Sequence, residues 1–508
     1  MGDRVNKSLK NMQYGMVYQI MYLILNFVVR FSFIKVLGVT ALSLNGLFTE
    51  ILSILSLTEM GVGTAITYCL YKPLAEENHT KIAQLMNLFK KAYHIITLVM
   101  LVLGLSLIPV LPHIVTKVEV SRSYLNTIYI LFLLQTCASY INSYKALLLT
   151  ADQKSWVQAK TNIIVRSIFF AGSLGIIYIT HNFVLYVTNE MLYSLVFFFI
   201  VGSQVDKMYP YLKNSTQLSQ QETKAILTKV KQAFVSKLSN RVLNSTDNIL
   251  ISILVGTNLV GIYSQYSMFI NGFMRLFSQV NEAIVGSIGN IIAVETKQKS
   301  QQALNRLNYL FFIFASISSV CLYAGINPFL KGVVGKNYLL GNTVLTIVAI
   351  NMFLETLKMP LWTYFEASGL FKQNQQISFI GCILNIITSI ILGKKLGMLG
   401  IFIGTFLSVS YMIIHKIIIL EYQEFSNTST ALTKQYFKFT LTFILETMII
   451  HFICNFTFSN AFFEFILKVS IGMVTTGIFS LFVFSKTEEF KYFLWQTKKI
   501  CKKMQKNP

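Results

Sequence analysis

The stretch QYGMVYQIMYLILNFVVRFSFIKVL, residues 13–37, carries only Arg30 and Lys35 as charged side chains. At about 1.5 Å per residue, a helix of this length spans the roughly 30 Å hydrocarbon core of a bilayer. Comparable apolar runs recur as far as residue 484, separated by short polar segments. Strands of a membrane barrel would instead alternate in polarity over about ten residues. The pattern therefore predicts an all-α, polytopic membrane protein of about fourteen transmembrane helices. Their ranges are 13–37, 42–70, 83–111, 125–149, 159–180, 182–203, 229–254, 260–292, 303–326, 341–366, 374–393, 397–420, 434–456 and 461–484. Composition agrees: 54% of the 508 residues are hydrophobic and 13% charged, too apolar for a soluble multidomain chain. The first run is full length and lacks a small-residue cleavage site, so it is expected to stay as a helix.

The net charge of +22 sits in the loops. About 31 of the basic residues fall on the side of the N-terminus and about 7 on the other, which predicts cytoplasmic termini. Attraction to anionic lipid then accounts for the basic balance, and a nucleic-acid partner is not expected. The six cysteines are scattered, without a CxxC pair or a histidine at ligand spacing, so no metal site and no cofactor are expected.

A weak internal repeat divides the chain. Val36-Leu37-Gly38-Val39-Thr40 resembles Leu254-Val255-Gly256-Thr257-Asn258, and Glu59-Met60-Gly61-Val62-Gly63-Thr64 resembles Glu282-Ala283-Ile284-Val285-Gly286-Ser287. This order predicts two six-helix lobes around a central cavity, at 1–203 and 229–420, joined by a linker at 204–228. Two further helices occupy 421–484, and the tail 485–508 is basic and amphipathic, suited to the membrane surface.

Ionisable groups at helix centres cost at least about 2.5–3.5 kcal/mol on insertion scales, so they are expected to face protein or water. Gln19, Asn26 and Arg30 share one face of the first helix; Asn271, Arg275, Ser278, Gln279 and Glu282 share one face of the eighth. Arg30 and Glu50 lie at similar depth, which suits either a structural ion pair or a shared aqueous cavity. Arg241 and Arg275 each lie about fourteen residues from the turn at Gly256–Gly261, roughly 20 Å deep. Two guanidiniums at one depth call for an anion or a carboxylate, and forked donors suit phosphate oxygens. The acidic residues Glu50, Glu59, Asp247, Glu282 and Glu355 make the cavity mixed in sign. They would pair helices, neutralise arginines or couple transport to ions. Nothing resembles a nucleophile with its base or a phosphate loop, so an enzyme is not expected.

Particular residues carry a family resemblance: Gln19, Arg30-Phe-Ser-Phe-Ile34, Val36-Leu37-Gly38, Leu44-Asn45-Gly46-Leu47-Phe48, Leu55-Ser56-Leu57-Thr58-Glu59-Met60-Gly61-Val62-Gly63 and Tyr71-Lys72-Pro73-Leu74. Thr246-Asp247 and Gly261-Ile262-Tyr263-Ser264 extend it into the second half. Together they resemble the Wzx-type oligosaccharide flippases of the MATE-like polysaccharide transporter superfamily. The resemblance implies a multi-pass protein of the bacterial cytoplasmic membrane. Such a protein moves an undecaprenyl-pyrophosphate-linked oligosaccharide to the outer leaflet for capsule or exopolysaccharide assembly, by alternating access. It also implies that Arg30 and Arg275 bind pyrophosphate or sugar acids; depth matching adds Arg241. Asn26, Asn271, Gln279, Tyr263 and Tyr266 are candidates for contact with the sugars. Partners would be membrane lipids and the pathway's polymerase and glycosyltransferases. A multidrug or organic-cation exporter of the same superfamily is the alternative, and a membrane-embedded glycan polymerase a more distant one.

Overall fold

The computed structural model describes residues 2–56, 69–74, 76–116, 118, 120–213, 217–224, 226, 246–425 and 430–495. Among these, every regular element is helical, and eleven segments are long and apolar enough to cross a membrane. The chain forms two compact units, 1–261 and 262–508.

In the first unit, α1 (Gly2–Ser32) widens into a π-helical turn at Phe33–Leu37 before α2 (Gly38–Leu55) begins. Gly38 ends the wide turn with φ 79° and ψ 176°, a conformation that a side chain would strain, and its N–H bonds to the Phe33 carbonyl. The sequence repeat returns here as geometry. Ile251–Val255 is also π-helical, and Gly256, at φ 147°, closes it on the Ile251 carbonyl.

The other helices of the unit are α3 (His79–Ser106), α4 (Arg122–Ile141), α5 (Ser143–Ala151), α6 (Ser155–Thr180) and α7 (Phe183–Met208). Hydropathy places the starts of α3 and α4 several residues late, because their first turns are polar and capped: Asn78 accepts from Lys81 N–H and Ser121 from Tyr124 N–H. The expected linker also starts later, since α7 continues to Met208 with Val205 fully buried. Aromatic edges lock the unit. Phe48 of α2 meets Tyr129 and Phe132 of α4, and Phe33 meets Phe183 and Tyr186 of α7. At the other end of α1, Asn11 accepts from Trp156 N–H and donates to the Gln153 carbonyl.

The second unit holds most of α8 (Thr257–Val294), then α9 (Lys297–Val334), α10 (Asn342–Ala367), α11 (Phe371–Leu396), α12 (Met398–Ile419), α13 (Ala431–Ile453) and α14 (Ala461–Phe484). Small residues let helices approach where lipid supplies no hydrophobic drive. A Cβ on Gly325 or Gly472 would press on the α14 or α9 side chains opposite, and one on Gly400 would run into the Leu392 carbonyl. Gly400→Ala is therefore expected to lower the thermal midpoint of the detergent-solubilised protein by several degrees, because backbone stands in the way and cannot yield. The tail packs on α9: the Arg306 guanidinium lies 4.1 Å from the centre of the Tyr492 ring and Phe493 is 6.0 Å from Tyr309. Large apolar side chains such as Phe482, 88% exposed, and Phe452, 80% exposed, cover the outside, as expected of a surface whose solvent is hydrocarbon.

Candidate functional site

The polar stripe of α1 meets two helices that sequence reading passes over. Arg166 of α6 and Glu190 of α7 form an ion pair at 2.6 Å, with both side chains 11% exposed. Glu190 Oε1 also accepts the Ser173 hydroxyl at 3.1 Å, and Ser173 in turn accepts from Asn189 at 2.9 Å. The Arg166 guanidinium lies 4.7 Å from the centre of the Tyr193 ring, whose hydroxyl donates to Asn162. Arg30 approaches from α1 beside Tyr22 and Tyr186, and Tyr186 is itself close to Arg166 and Glu190. Three helices thus bring Arg30 and Arg166 near the same phenol, Tyr186, and Arg166 onto the Glu190 carboxylate. Arg166 Nε is buried without a hydrogen-bond partner among the described residues.

Depth matching is able to find this pair. Arg166 lies about 22 Å and Glu190 about 14 Å along their helices from His181, the residue between them, which two long side chains can span. Sequence reading passes over a stripe signal here as well: Asn162, Arg166 and Ser173 share one face of α6, and Tyr186, Glu190 and Tyr193 one face of α7.

Other expected site residues are placed as follows. Asn26 donates to the Tyr22 carbonyl of its own helix at 2.8 Å. Glu50 accepts the Ser53 hydroxyl at 3.2 Å, and no Arg30–Glu50 ion pair occurs among the described residues. Asp247 is half-buried in the helical segment Thr246–Val255. Arg241 and Glu59 lie outside the described residues, as do the side chains of Gln279 and Glu282.

In the second unit, Asn271 and Arg275 are one turn apart on α8 and both exposed. Met274 and Asn281 turn a different face of α8 toward α10, meeting Thr356 and Thr363. Asn271 and Arg275 are thereby kept off that packed face. Tyr263 packs against Phe402, with ring centres 4.8 Å apart. Glu355 is neutralised within its own helix by Lys358, at 2.6 Å, rather than by an arginine.

Tyr266 has its hydroxyl engaged inside the protein. It is fully buried; its hydroxyl donates to Asn327 at 2.6 Å and accepts from Leu340 N–H at 2.8 Å, so both capacities are used in pinning the segment after α9. Tyr266→Phe is expected to cost about 1–3 kcal/mol of stability, because it strips two buried groups of their partner. Transport per folded molecule should be unchanged; a loss of transport without a lower thermal midpoint would assign Tyr266 to the site.

A second polar place lies at the start of α3. Gln84, Asn87, Lys91, Gln217, Thr223 and Lys224 help line a cleft of about 360 Å³. Beside it the Lys81 ammonium, 2.5 Å from Glu222, holds that carboxyl below its usual range.

Comparison with known proteins places these features. The family model described as "Polysaccharide biosynthesis protein" matches residues 8–285, more than half of the chain. The chain belongs to the polysaccharide biosynthesis protein family. Among solved structures, the lipid II flippase MurJ in an inward closed conformation aligns with a TM-score of 0.70 at 14% identity, over 93% of this chain and 99% of that one. An inward-facing multidrug resistance MATE family transporter of the MOP superfamily gives 0.62 at 13% identity, over 78% of this chain and 92% of that one. A mutant form of the Vibrio cholerae MATE transporter VcmN gives 0.57 at 14% identity, over 84% and 99%. No curated protein sequence matches. At these identities the structures establish the fold alone: an all-helical, multi-pass membrane fold shared with flippases and transporters.

Proposed function

We propose that this protein of the polysaccharide biosynthesis family flips a lipid-linked oligosaccharide, carried on undecaprenyl pyrophosphate, from the cytoplasmic to the outer leaflet by alternating access. The observation that supports this reading is that two arginines from different helices, Arg30 and Arg166, lie near one phenol, Tyr186, within segments that hydropathy assigns to the membrane. A pyrophosphate supplies the anionic oxygens that forked donors hold, and tyrosines and asparagines suit sugar hydroxyls. Arg275 with Asn271 offers the same chemistry from the second unit, and Arg241 retains the role that depth matching gives it.

Here the two six-helix lobes are the moving parts, the termini are cytoplasmic, and the lipid tail stays in the bilayer while the head crosses. Differential binding of substrate to the two states biases the swing. Drug export in the manner of a MATE transporter fits less well, because guanidiniums suit the oxygens of a pyrophosphate and offer an organic cation nothing. The direct test is reconstitution in liposomes with a fluorescent lipid-linked oligosaccharide. Protein-dependent loss of protection from an external glycosidase supports flipping; efflux of organic cations without it would reassign the protein as a drug exporter.

A further inference from the structure

Glu446 of α13 is fully buried. Ser316 of α9 donates its hydroxyl to Glu446 Oε2, and Thr476 of α14 lies beside the same carboxyl. Oε1 of Glu446 and Oγ1 of Thr476 are nevertheless both buried without hydrogen-bond partners among the described residues. Aromatic stacks flank this part of α13: Phe439 lies on Phe312 at 4.5 Å and Phe443 on Phe353 at 3.9 Å.

The charged and titratable groups on the surrounding helices are engaged elsewhere. On α9 and α14, Lys331 and Lys468 converge on Glu464 at 3.9 and 2.8 Å, Arg306 lies over Tyr492, and Tyr309 bonds to Ser480. Cys321 lies against the Val469 carbonyl, and Tyr323 meets His451 of α13. On α13 itself, Tyr436 is held by Asn308 and the Leu357 carbonyl, while Lys438, two turns and about 12 Å from Glu446, bonds to the Val483 carbonyl. On α10, Glu355 and Lys358 pair with each other, and Lys416 of α12 sits over Trp362 and Phe365.

An ionised carboxylate buried here meets no cationic side chain among the described residues, and its desolvation is not recovered. A cation is a poor answer. Hard cations such as calcium gather six or more oxygens, whereas Glu446, Ser316 and Thr476 supply four side-chain oxygens at most. Ser316 and Thr476 can satisfy the carboxyl oxygens but carry no charge, so a proton on Glu446 is what removes the buried charge, and the acid O–H then shares its hydrogen bond with Thr476 Oγ1.

We propose that Glu446 is a proton-binding site: it holds a neutral carboxylic acid while α9, α13 and α14 are packed together, and releases the proton to water only when these helices part. The site is separate from the arginine cluster and does not rest on the identity of the substrate. A residue that never changed charge would be served equally by glutamine, so the substitution Glu446→Gln is the informative one.

The test uses the full chain in lipid nanodiscs, by infrared spectroscopy and by thermal midpoint over a pH series. Wild type should show the carbonyl stretch of a protonated acid that persists at neutral pH, is missing in Glu446→Gln, and is shifted in Ser316→Ala and Thr476→Val. The wild-type midpoint should also fall more steeply with rising pH than that of Glu446→Gln, because the native state then binds one proton more than the unfolded state. Identical acid bands in wild type and Glu446→Gln, or parallel pH slopes, would overturn the proposal. Should Glu446→Gln fail to fold, the two hydroxyl variants keep the carboxyl, and an unshifted band in both would equally reject it.

Discussion

Arg30→Ala is expected to lower delivery of the lipid-linked oligosaccharide to the outer leaflet by roughly 10- to 100-fold, the equivalent of losing one charge-assisted hydrogen-bonding group of about 1.5–3 kcal/mol. Arg30 is close to Tyr22 and Tyr186 in the first unit. A lysine there keeps the charge but loses the fork, so Arg30→Lys should fall between wild type and alanine. Arg275→Ala, on the exposed face of α8, should give a defect of similar size. The measurement is flipping per folded molecule in liposomes, with abundance and thermal midpoint as controls. Full flipping by Arg30→Ala at normal abundance would remove that residue from the mechanism.

The second large effect concerns the Arg166–Glu190 pair. Glu190→Ala leaves a guanidinium buried without its carboxylate, and breaking such a pair costs roughly 3–5 kcal/mol in protein interiors. A marked drop in thermal midpoint is expected. The double variant Arg166→Met with Glu190→Leu removes both charges and should recover most of the loss, since apolar replacements of a buried pair are often neutral or better. The two roles of Arg166 then separate: a recovered midpoint with flipping still absent assigns it to anion binding, and recovery of both makes it a structural strut only. If Glu190→Ala were as stable as wild type, the pair would not be what holds α6 to α7.

Much of the fold is legible in the sequence because lipid leaves few solutions. Backbone polar groups must be satisfied within each segment, so apolar runs of about 20 residues mean helices, and the wide turns at Gly38 and Gly256 fall where the repeated Val/Leu-Gly motifs place them. Hydropathy loses the ends. The first turns of α3 and α4 carry polar residues that cap and start the helix rather than interrupt it.

The site is harder to read, for a different reason. Stripes identify polar residues that share a helix face, which finds Asn26 with Arg30 and Asn271 with Arg275. They are blind to a group whose companions are on other helices, as with Glu446 beside Ser316 and Thr476. They also cannot separate a tyrosine with a free hydroxyl from one whose hydroxyl is already satisfied, as that of Tyr266 is.

The paired wide turns carry information about ancestry. A turn of i→i+5 geometry holds one residue more than the α-helix it interrupts, and here both copies hold it immediately before a glycine at the same place in the motif. Two independent insertions at matching positions are a poorer account than one that was already present when an ancestral half-length gene was copied. Reconstructed half-length sequences should therefore retain the extra residue. Deleting it from one copy alone, for instance at Val36, would rotate all that precedes it by about 100° against its twin.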